Sequence, residues 1–401
     1  MKIKYFRSYL SLFLEIVGLV VLNCISLIIR LFFPVRKGNV ICWSYYFKQY
    51  SCNPKYLTEY ILNQDYRITW AFRKDVINKI KNLGLDDRIR IVPFKSLSFL
   101  YAINTAEFIF TNCRTKPFEV AWKKRKGQKY IQLWHGGMAL KKIEKDAEKE
   151  LPNDYVKSAI VDSDNCDLMV SSGAFFTDMI KRAFWYQGGI LECGTPRNDV
   201  FFDKNAINKA RNKVCSLYDF DSHSILLLYA PTFRVTSSLD AYDIEWDPII
   251  RILENKYNKK VTLLVRLHPN LIDKNIGLQI IKTSCSPINV TFYSDMQELL
   301  CASDILVTDY SSTMFEMSLL NRPCFLYVKD IETYDRGMYF TLNDLPFPSA
   351  CSNKELEDRF QSFDEQGYVD KVHDFLTKIG NFENGKACKS VADWMAVNRI
   401  H

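Results

Sequence analysis

The residues with chemical potential in this 401-residue chain gather just after short apolar runs. Thr308-Asp309-Tyr310-Ser311-Ser312 follows Ile305-Leu306-Val307, which has the pattern of a buried parallel strand. Met317 to Leu320 then carries helical apolar spacing, and Asn321-Arg322-Pro323 reads as the stop. A strand that becomes a helix at two serines gathers unpaired backbone N–H groups, two hydroxyls and the positive end of a helix dipole at one point, which suits a phosphate. The plainer alternative is a helix N-cap at Ser311 or Ser312. Glu316, one helical turn beyond Ser312, could accept hydrogen bonds from ribose hydroxyls.

Three more clusters sit at comparable places. Gln132-Leu133-Trp134-His135-Gly136-Gly137 follows Tyr130-Ile131, with Leu140-Lys141 close behind. Paired glycines permit close approach of backbone or substrate, and an imidazole there suits a general base, because its charge changes near neutral pH. A turn-capping structural histidine is the competing reading. Tyr229-Ala230-Pro231-Thr232-Phe233-Arg234 ends another apolar run. In Arg266-Leu267-His268-Pro269 the two cations alternate by two, so an extended backbone turns both to one side, as a diphosphate would require.

These clusters need strand ends to hold them. Further apolar runs cover Val40–Trp43, Ile68–Ala71, Ile89–Val92, Phe108–Phe110, Leu168–Val170, Ile225–Tyr229, Thr262–Val265, Val290–Phe292 and Cys324–Tyr327. They alternate with helical stretches, which implies parallel sheets covered on both faces. The expected fold class is α/β, with two Rossmann-like domains facing a cleft. The first spans residues 37–204 and the second 205–380, joined by the charged helical stretch Asp203 to Lys213. A helix within 381–401 is expected to pack back on the first domain. Ligands in such sheets sit beyond the carboxyl ends of the strands, where all four clusters fall.

Residues 1–36 form an apolar segment with basic flanks on both sides: Lys2, Lys4 and Arg7 before it, Arg36 and Lys37 after it. Ser8, Ser11, Glu15, Gly18, Ser26 and Arg30 share one side of a helical projection, although Leu12, Leu19 and Leu22 intrude. This pattern favours a helix lying in the plane of an anionic membrane surface over a spanning or a core helix. No small-residue cleavage site follows it. The composition, 48% hydrophobic and 25% charged, is globular. The net charge of +7 includes Lys123-Lys124-Arg125-Lys126, either a solvated face or an attraction to anionic partners. No recognition motif accompanies it, so nucleic acid is not an expected partner. Twelve cysteines without a C-x-x-C pair point to free thiols in a reducing compartment. No oligomeric state is legible.

Taken in order, Trp134-His135-Gly136, Gly194-Thr195-Pro196-Arg197-Asn198-Asp199, Ala230-Pro231-Thr232-Phe233-Arg234, Arg266-Leu267-His268-Pro269 and Thr308-Asp309-Tyr310-Ser311-Ser312 resemble the CDP-glycerol glycerophosphotransferases. These are the teichoic-acid primases and polymerases and their CDP-ribitol relatives. Gly137 departs from the Thr-Pro that many members carry there. The resemblance implies a fold similar to the GT-B glycosyltransferases and a peripheral or monotopic enzyme at the cytoplasmic face of the bacterial cell membrane. It implies catalytic roles for His135 and His268, His135 deprotonating the acceptor hydroxyl. Donor binding would fall to Thr232, Arg234, Arg266, Asp309, Ser311, Ser312 and Glu316. Gly136, Gly137, Lys141 and Arg197 would be acceptor-side or structural. The partners would be a CDP-alditol donor and a lipid-linked or polymeric glycan acceptor, with CMP released.

No cofactor is expected. A divalent metal stays open through Asp162-Ser163-Asp164 and Asp219-Phe220-Asp221, although two D-x-D matches are near what chance supplies. The alternatives are a nucleotide-sugar glycosyltransferase of the same fold and a non-catalytic membrane scaffold.

Overall fold

The computed structural model describes residues 2–234, 239–267, 277–334 and 337–400. Two parallel sheets organise it. The first holds β1 (Arg36–Trp43), β2 (Arg67–Phe72), β3 (Arg90–Pro93), β4 (Ala106–Thr111), β5 (Lys129–Gln132), β6 (Leu168–Ser171) and β7 (Gly189–Glu192), in the order β3-β2-β1-β4-β5-β6-β7. The second holds β8 (Ile225–Tyr229), β9 (Val261–Val265), β10 (Ile288–Asn289), β11 (Ile305–Thr308), β12 (Cys324–Tyr327) and β13 (Ser349–Ala350), in the order β10-β9-β8-β11-β12-β13. Both are doubly wound α/β sheets whose strand order reverses at the first strand. The crevices therefore open between the ends of β1 and β4 and between those of β8 and β11.

The central strands are buried along nearly their whole length, as parallel strands covered by helices must be. β7 and β13 escaped the sequence reading. They are edge strands, β7 opening on the second of two glycines and neither carrying a long apolar run. The expected strand at Val290–Phe292 lies two residues late. Val290 still bonds the carbonyl of Val265, but Tyr293 N–H then closes a turn on Val290, so pairing ends there.

Helix Lys204–Tyr218 joins the domains, and Asp203 caps it by accepting from the N–H groups of Asn205 and Ala206. Helix Ala387–Val397 returns to the first domain, where Ala387, Val391, Ala392 and Met395 enter the core of Leu57, Trp70, Phe108 and Val170.

One long helix, Lys2–Phe32, precedes β1, and its Phe13–Phe32 stretch is long and apolar enough to cross a membrane. Leu22, Asn23, Ser26 and Ile29 face the body. Asn23 donates to Phe118 O at 3.0 Å and Ser26 to Ala121 O at 2.6 Å. The opposite side exposes Phe13, Val17, Val20, Leu27, Ile28 and Leu31. Of the expected polar stripe, Ser26 docks on protein together with Asn23 at its margin, while Glu15 and Gly18 are exposed; Leu22, one of the leucines that intruded on it, is part of the contact. Arg125, from the basic run, donates to the carbonyls of Arg30, Phe33 and Asn104. It closes the C-terminus of that helix, where a cation offsets the helix dipole.

Candidate active site

The first domain's contribution begins at its crevice. After β1 the chain runs through Tyr45, Tyr46 and Phe47 at φ 42°, 57° and 68°, three consecutive side-chain-bearing residues in the left-handed region. Each costs about 1–2 kcal/mol relative to the right-handed form. The turn is held by Asn112 Oδ1, which accepts from Tyr45 N–H at 2.9 Å, and by Cys113 Sγ, which accepts from Tyr46 N–H. Asn112 and Cys113 directly follow β4, so the two strands that flank the crevice fix one another's loops.

His135, beyond β5, rests on the same loop. Its Nδ1 lies 2.8 Å from the carbonyl oxygen of Asn112. A carbonyl can only accept, so Nδ1 carries the proton of the neutral ring and Nε2 keeps its lone pair. The ring stacks on Trp134 at 4.4 Å between centroids and stands 6.2 Å from Tyr45. Surrounding protein lowers its pKa to about 4. The Asn112 bond opposes that shift, and the positive charges of Arg197 and Arg114 add to it. The ring remains open to water in the cleft, so part of its hydration survives and moderates the burial penalty. A neutral imidazole with a free Nε2 is the form a general base needs.

Beneath Trp134 lies a buried ionic cluster. Arg114 pairs with Glu144 at 2.6 Å and Asp162 at 3.2 Å, and its guanidinium is 5.6 Å from the Trp134 ring. Asp162 also accepts from Tyr130 Oη and Thr115 N–H. That cluster absorbs the first D-x-D match. The second supplies a left-handed helix C-cap at Asp219 and a turn acceptor at Asp221.

In the second domain part of the expected donor-binding set is bonded within the protein. Asp309 accepts from Thr232 N–H and Oγ1, from Tyr310 N–H and from Arg234. Arg234 also donates to Asp330 at 2.8 Å and to Thr232 O at 2.7 Å. Thr232, Arg234 and Asp309 therefore spend their polar atoms on each other, locking the loops after β8 and β11 together. Glu316 is bonded likewise. Its carboxylate is buried, one oxygen bound to Arg197 and the other 3.0 Å from Gln297 Nε2, so it does not face open space where a ribose could sit.

Arg266 and Ser311 do reach open space. A cavity of about 550 Å³ lies between the domains and is lined by Tyr45, Arg197, Arg266, Gln297, Ser311 and Thr313 among others. Arg266 donates to Tyr293 O at 2.7 Å, and burial holds its pKa below the usual arginine value. Arg197 donates to Cys52 Sγ, and its buried Nε has no partner among the described residues. Ser311 Oγ accepts from Thr313 Oγ1 at 2.9 Å. Ser312 occupies the N-cap position of helix Thr313–Ser318 but makes no capping bond. Its hydroxyl instead approaches Gly136, 3.9 Å from where a side chain would begin. His268 lies outside the described residues.

Gly137 answers to packing. A Cβ there would lie 2.7 Å from that of Ser172 and 3.3 Å from a carboxylate oxygen of Glu383, and Ser172 donates to the Gly137 carbonyl. Gly194, at φ 88°, would likewise collide with Glu383. The Glu383 carboxyl clamps the turn that presents Arg197, accepting from Thr195 Oγ1 at 2.6 Å, Thr195 N–H at 3.0 Å and Asn198 Nδ2 at 2.8 Å. Burial raises its pKa to about 7 despite those bonds. Lys141 pairs through its backbone with Met338 and sets its ammonium 5.7 Å from the Tyr334 ring, bridging the domains.

Sequence reasoning missed Tyr45, Asn112, Arg114 and Glu383. Tyr45, Asn112 and Arg114 follow predicted strands, and the strand-end rule alone could have flagged them. Glu383 is distant from every motif and carries no such signal.

The match to a family model for CDP-Glycerol:Poly(glycerophosphate) glycerophosphotransferase covers residues 25–396. A teichoic acid poly(glycerol phosphate) polymerase of Bacillus spizizenii is 28% identical, across 98% of this chain and 99% of that protein. One from Staphylococcus epidermidis is 29% identical over 90% of this chain, and the chain spans about half (50%) of its length. The structure of the wall teichoic acid polymerase TagF soaked with CDPG superposes with a TM-score of 0.79 at 26% identity, covering 99% of this chain and 98% of TagF. The chain belongs to the CDP-glycerol:poly(glycerophosphate) glycerophosphotransferase family and shares the TagF-like, GT-B-like arrangement of two α/β domains.

Proposed function

We propose that this chain transfers glycerol phosphate or ribitol phosphate from a CDP-alditol to a hydroxyl of a lipid-linked or polymeric glycan, releasing CMP. The observation that carries the reading is His135, a neutral imidazole whose bond to Asn112 O leaves Nε2 as the acceptor and whose ring stands 6.2 Å from Tyr45, which lines the cavity together with Arg266 and Ser311. In this reading the acceptor hydroxyl gives its proton to Nε2 as its oxygen attacks the β-phosphorus. The bond from that phosphorus to the bridging oxygen breaks, and CMP leaves with the bonding pair. Arg266, Arg197 and the Ser311 and Ser312 hydroxyls stabilise the charge that develops on the diphosphate. His268, two residues beyond Arg266, keeps its sequence-based place as a second diphosphate contact.

No cofactor enters this scheme. The helix Lys2–Phe32 lies in the plane of the cytoplasmic leaflet, presenting its apolar side to lipid. That face is already exposed, and on the opposite one Leu22, Asn23, Ser26 and Ile29 are committed to the protein.

The deciding experiment incubates the purified chain with CDP-glycerol and CDP-ribitol separately, with glycan hydroxyl acceptors, and follows CMP. A chelator arm reports any divalent ion. CMP release that requires the acceptor supports the reading. Release of UDP from a nucleotide sugar, with no CMP from either donor, replaces it with sugar transfer. No release from any donor favours the scaffold.

A further inference from the structure

We propose that a second groove, formed by the first domain and the N-terminal helix, holds the lipid-phosphate end of the acceptor. It rests on the transferase reading above and gives the acceptor a place. The groove is about 560 Å³ and lies at the carboxyl ends of β1 to β4, on the other side of the left-handed turn from the donor cavity. The turn divides the two spaces. Tyr45 lines the donor cavity, while Tyr46 and Phe47 line the groove. Trp43, Phe94 and Val120 complete an apolar floor, and Glu15 of the N-terminal helix closes one side.

The charges at its mouth are unevenly committed. Arg73 is paired with Asp75 at 3.1 Å and Lys116 with Glu119 at 3.2 Å, while Arg114 is spent on Glu144 and Asp162. Lys74 and Lys95 make no ion pair among the described residues. Lys95 sits at φ 62° with its ammonium 5.4 Å from the Phe94 ring. An apolar floor with two uncommitted ammonium groups fits an amphiphile with an anionic head, since the cations gain a counter-charge and the floor loses contact with water.

Two adjacencies select a membrane lipid phosphate over a soluble peptide or free phosphate. The helix that supplies Glu15 exposes Leu14 and Ile16 on either side of it, so a lipid chain leaving the groove past Glu15 runs onto apolar surface of that helix. In the other direction, Arg114 lines the groove and lies against Trp134, which stacks on His135. The groove thus lies two side chains, Arg114 and Trp134, away from the His135 ring, which puts the lipid phosphate in the neighbourhood of the base.

The test uses the full chain and its Lys74→Glu/Lys95→Glu variant, two side chains outside the catalytic and donor-binding set. In detergent, a photoreactive prenyl diphosphate is cross-linked and the labelled peptides are mapped. The expected result is labelling at residues 43–47, 94–95 or 114–120, at least fivefold weaker in the variant and blocked by unlabelled prenyl diphosphate. Labelling confined to residues 13–32, equal labelling of the variant, or equal competition by inorganic diphosphate overturns the proposal. In the CMP assay the variant should raise KM for a lipid-diphosphate acceptor at least tenfold. It should leave donor KM, kcat and KM for the same glycan without the lipid diphosphate unchanged. Equal effects on both acceptors, or none on either, also overturn it. If the wild-type chain releases no CMP with any CDP-alditol, the transferase reading falls, and the cross-linking map still decides whether the groove binds lipid diphosphate.

Discussion

Arg197, carried by the turn after β7, and Glu316, in the helix after β11, form an ion pair across the interface between the two domains. Both side chains are more than nine-tenths buried, at 7% and 5% exposure. Lys55 repeats the theme at the outer edge of the same interface, where it pairs with Asp295 at 2.7 Å and Glu298 at 3.2 Å. The two domains are therefore joined across the cleft by ionic contacts between residues far apart in sequence.

A buried pair of this kind is costly to break from one side. Glu316→Ala leaves the Arg197 guanidinium uncompensated and strands Gln297 Nε2, so a loss of about 3–5 kcal/mol in unfolding free energy is expected. Replacing both partners by apolar residues of similar size, Arg197→Met with Glu316→Leu, should recover most of that loss, because the desolvation penalty is removed along with the attraction. Urea unfolding of the two variants beside wild type measures it. Unaltered stability in Glu316→Ala would show that the pair does not hold the domains.

For His135 the prediction concerns pH as well as magnitude. Its pKa is depressed, so the neutral, base-competent ring persists below the ordinary imidazole range. The acid limb of kcat/KM should therefore fall between about pH 4 and 6.5, below the midpoint of a free imidazole. His135→Ala should lower turnover by about 10²–10⁴ and leave CDP-alditol affinity within a factor of two or three. An acid limb above pH 6.5, or near-normal turnover in the variant, would assign the proton transfer elsewhere.

The sheets were legible because a parallel strand buried on both faces must be a continuous apolar run, and Leu226, Leu264 and Leu306 sit in such runs. Edge strands β7 and β13 lack that requirement and left no pattern. The strand-end rule located His135, Arg266 and Ser311 by topology. It could not tell a side chain that faces ligand from one that ties two loops together, because Thr232, Arg234 and Asp309 satisfy the same rule while bonding one another. Glu316 shows the same ambiguity across domains, since nothing local to its helix announces Arg197, 119 residues away. Long-range partners of buried charges are set by the docking of whole domains, and spacing within one segment does not record them.

Glu383 should leave its mark on stability as a function of pH. Its pKa near 7 in the folded chain exceeds the ordinary glutamate value, so the native state favours the protonated carboxyl. That contribution is fully present below about pH 4.5 and is lost as pH rises toward 7, a change on the order of a few kcal/mol. In Glu383→Gln the group no longer titrates, and Asn198, whose Oδ1 lacks a partner, can turn its amide to accept from the new donor. The difference in unfolding free energy between variant and wild type should therefore grow in the variant's favour from pH 4.5 to 7. Parallel curves over that interval would mean Glu383 folds already ionised.

The outer side of the N-terminal helix can be tested without disturbing the body. Ile28 and Leu31 are 54% and 73% exposed, and the docked contacts at Ser26 and Ile29 lie on the other side. Ile28→Lys with Leu31→Lys places two charges where lipid contact is expected and removes two apolar side chains from it. At about 25 cal/mol per Å² of apolar surface, their lost burial is worth a few kcal/mol of membrane affinity. Flotation with vesicles containing anionic lipid should show binding reduced at least tenfold, and the thermal midpoint in detergent-free buffer should move by less than about 2 °C, because neither side chain is packed. Vesicle binding equal to wild type would mean that another surface carries the membrane contact. A large fall in the thermal midpoint would instead mean that this side packs against protein.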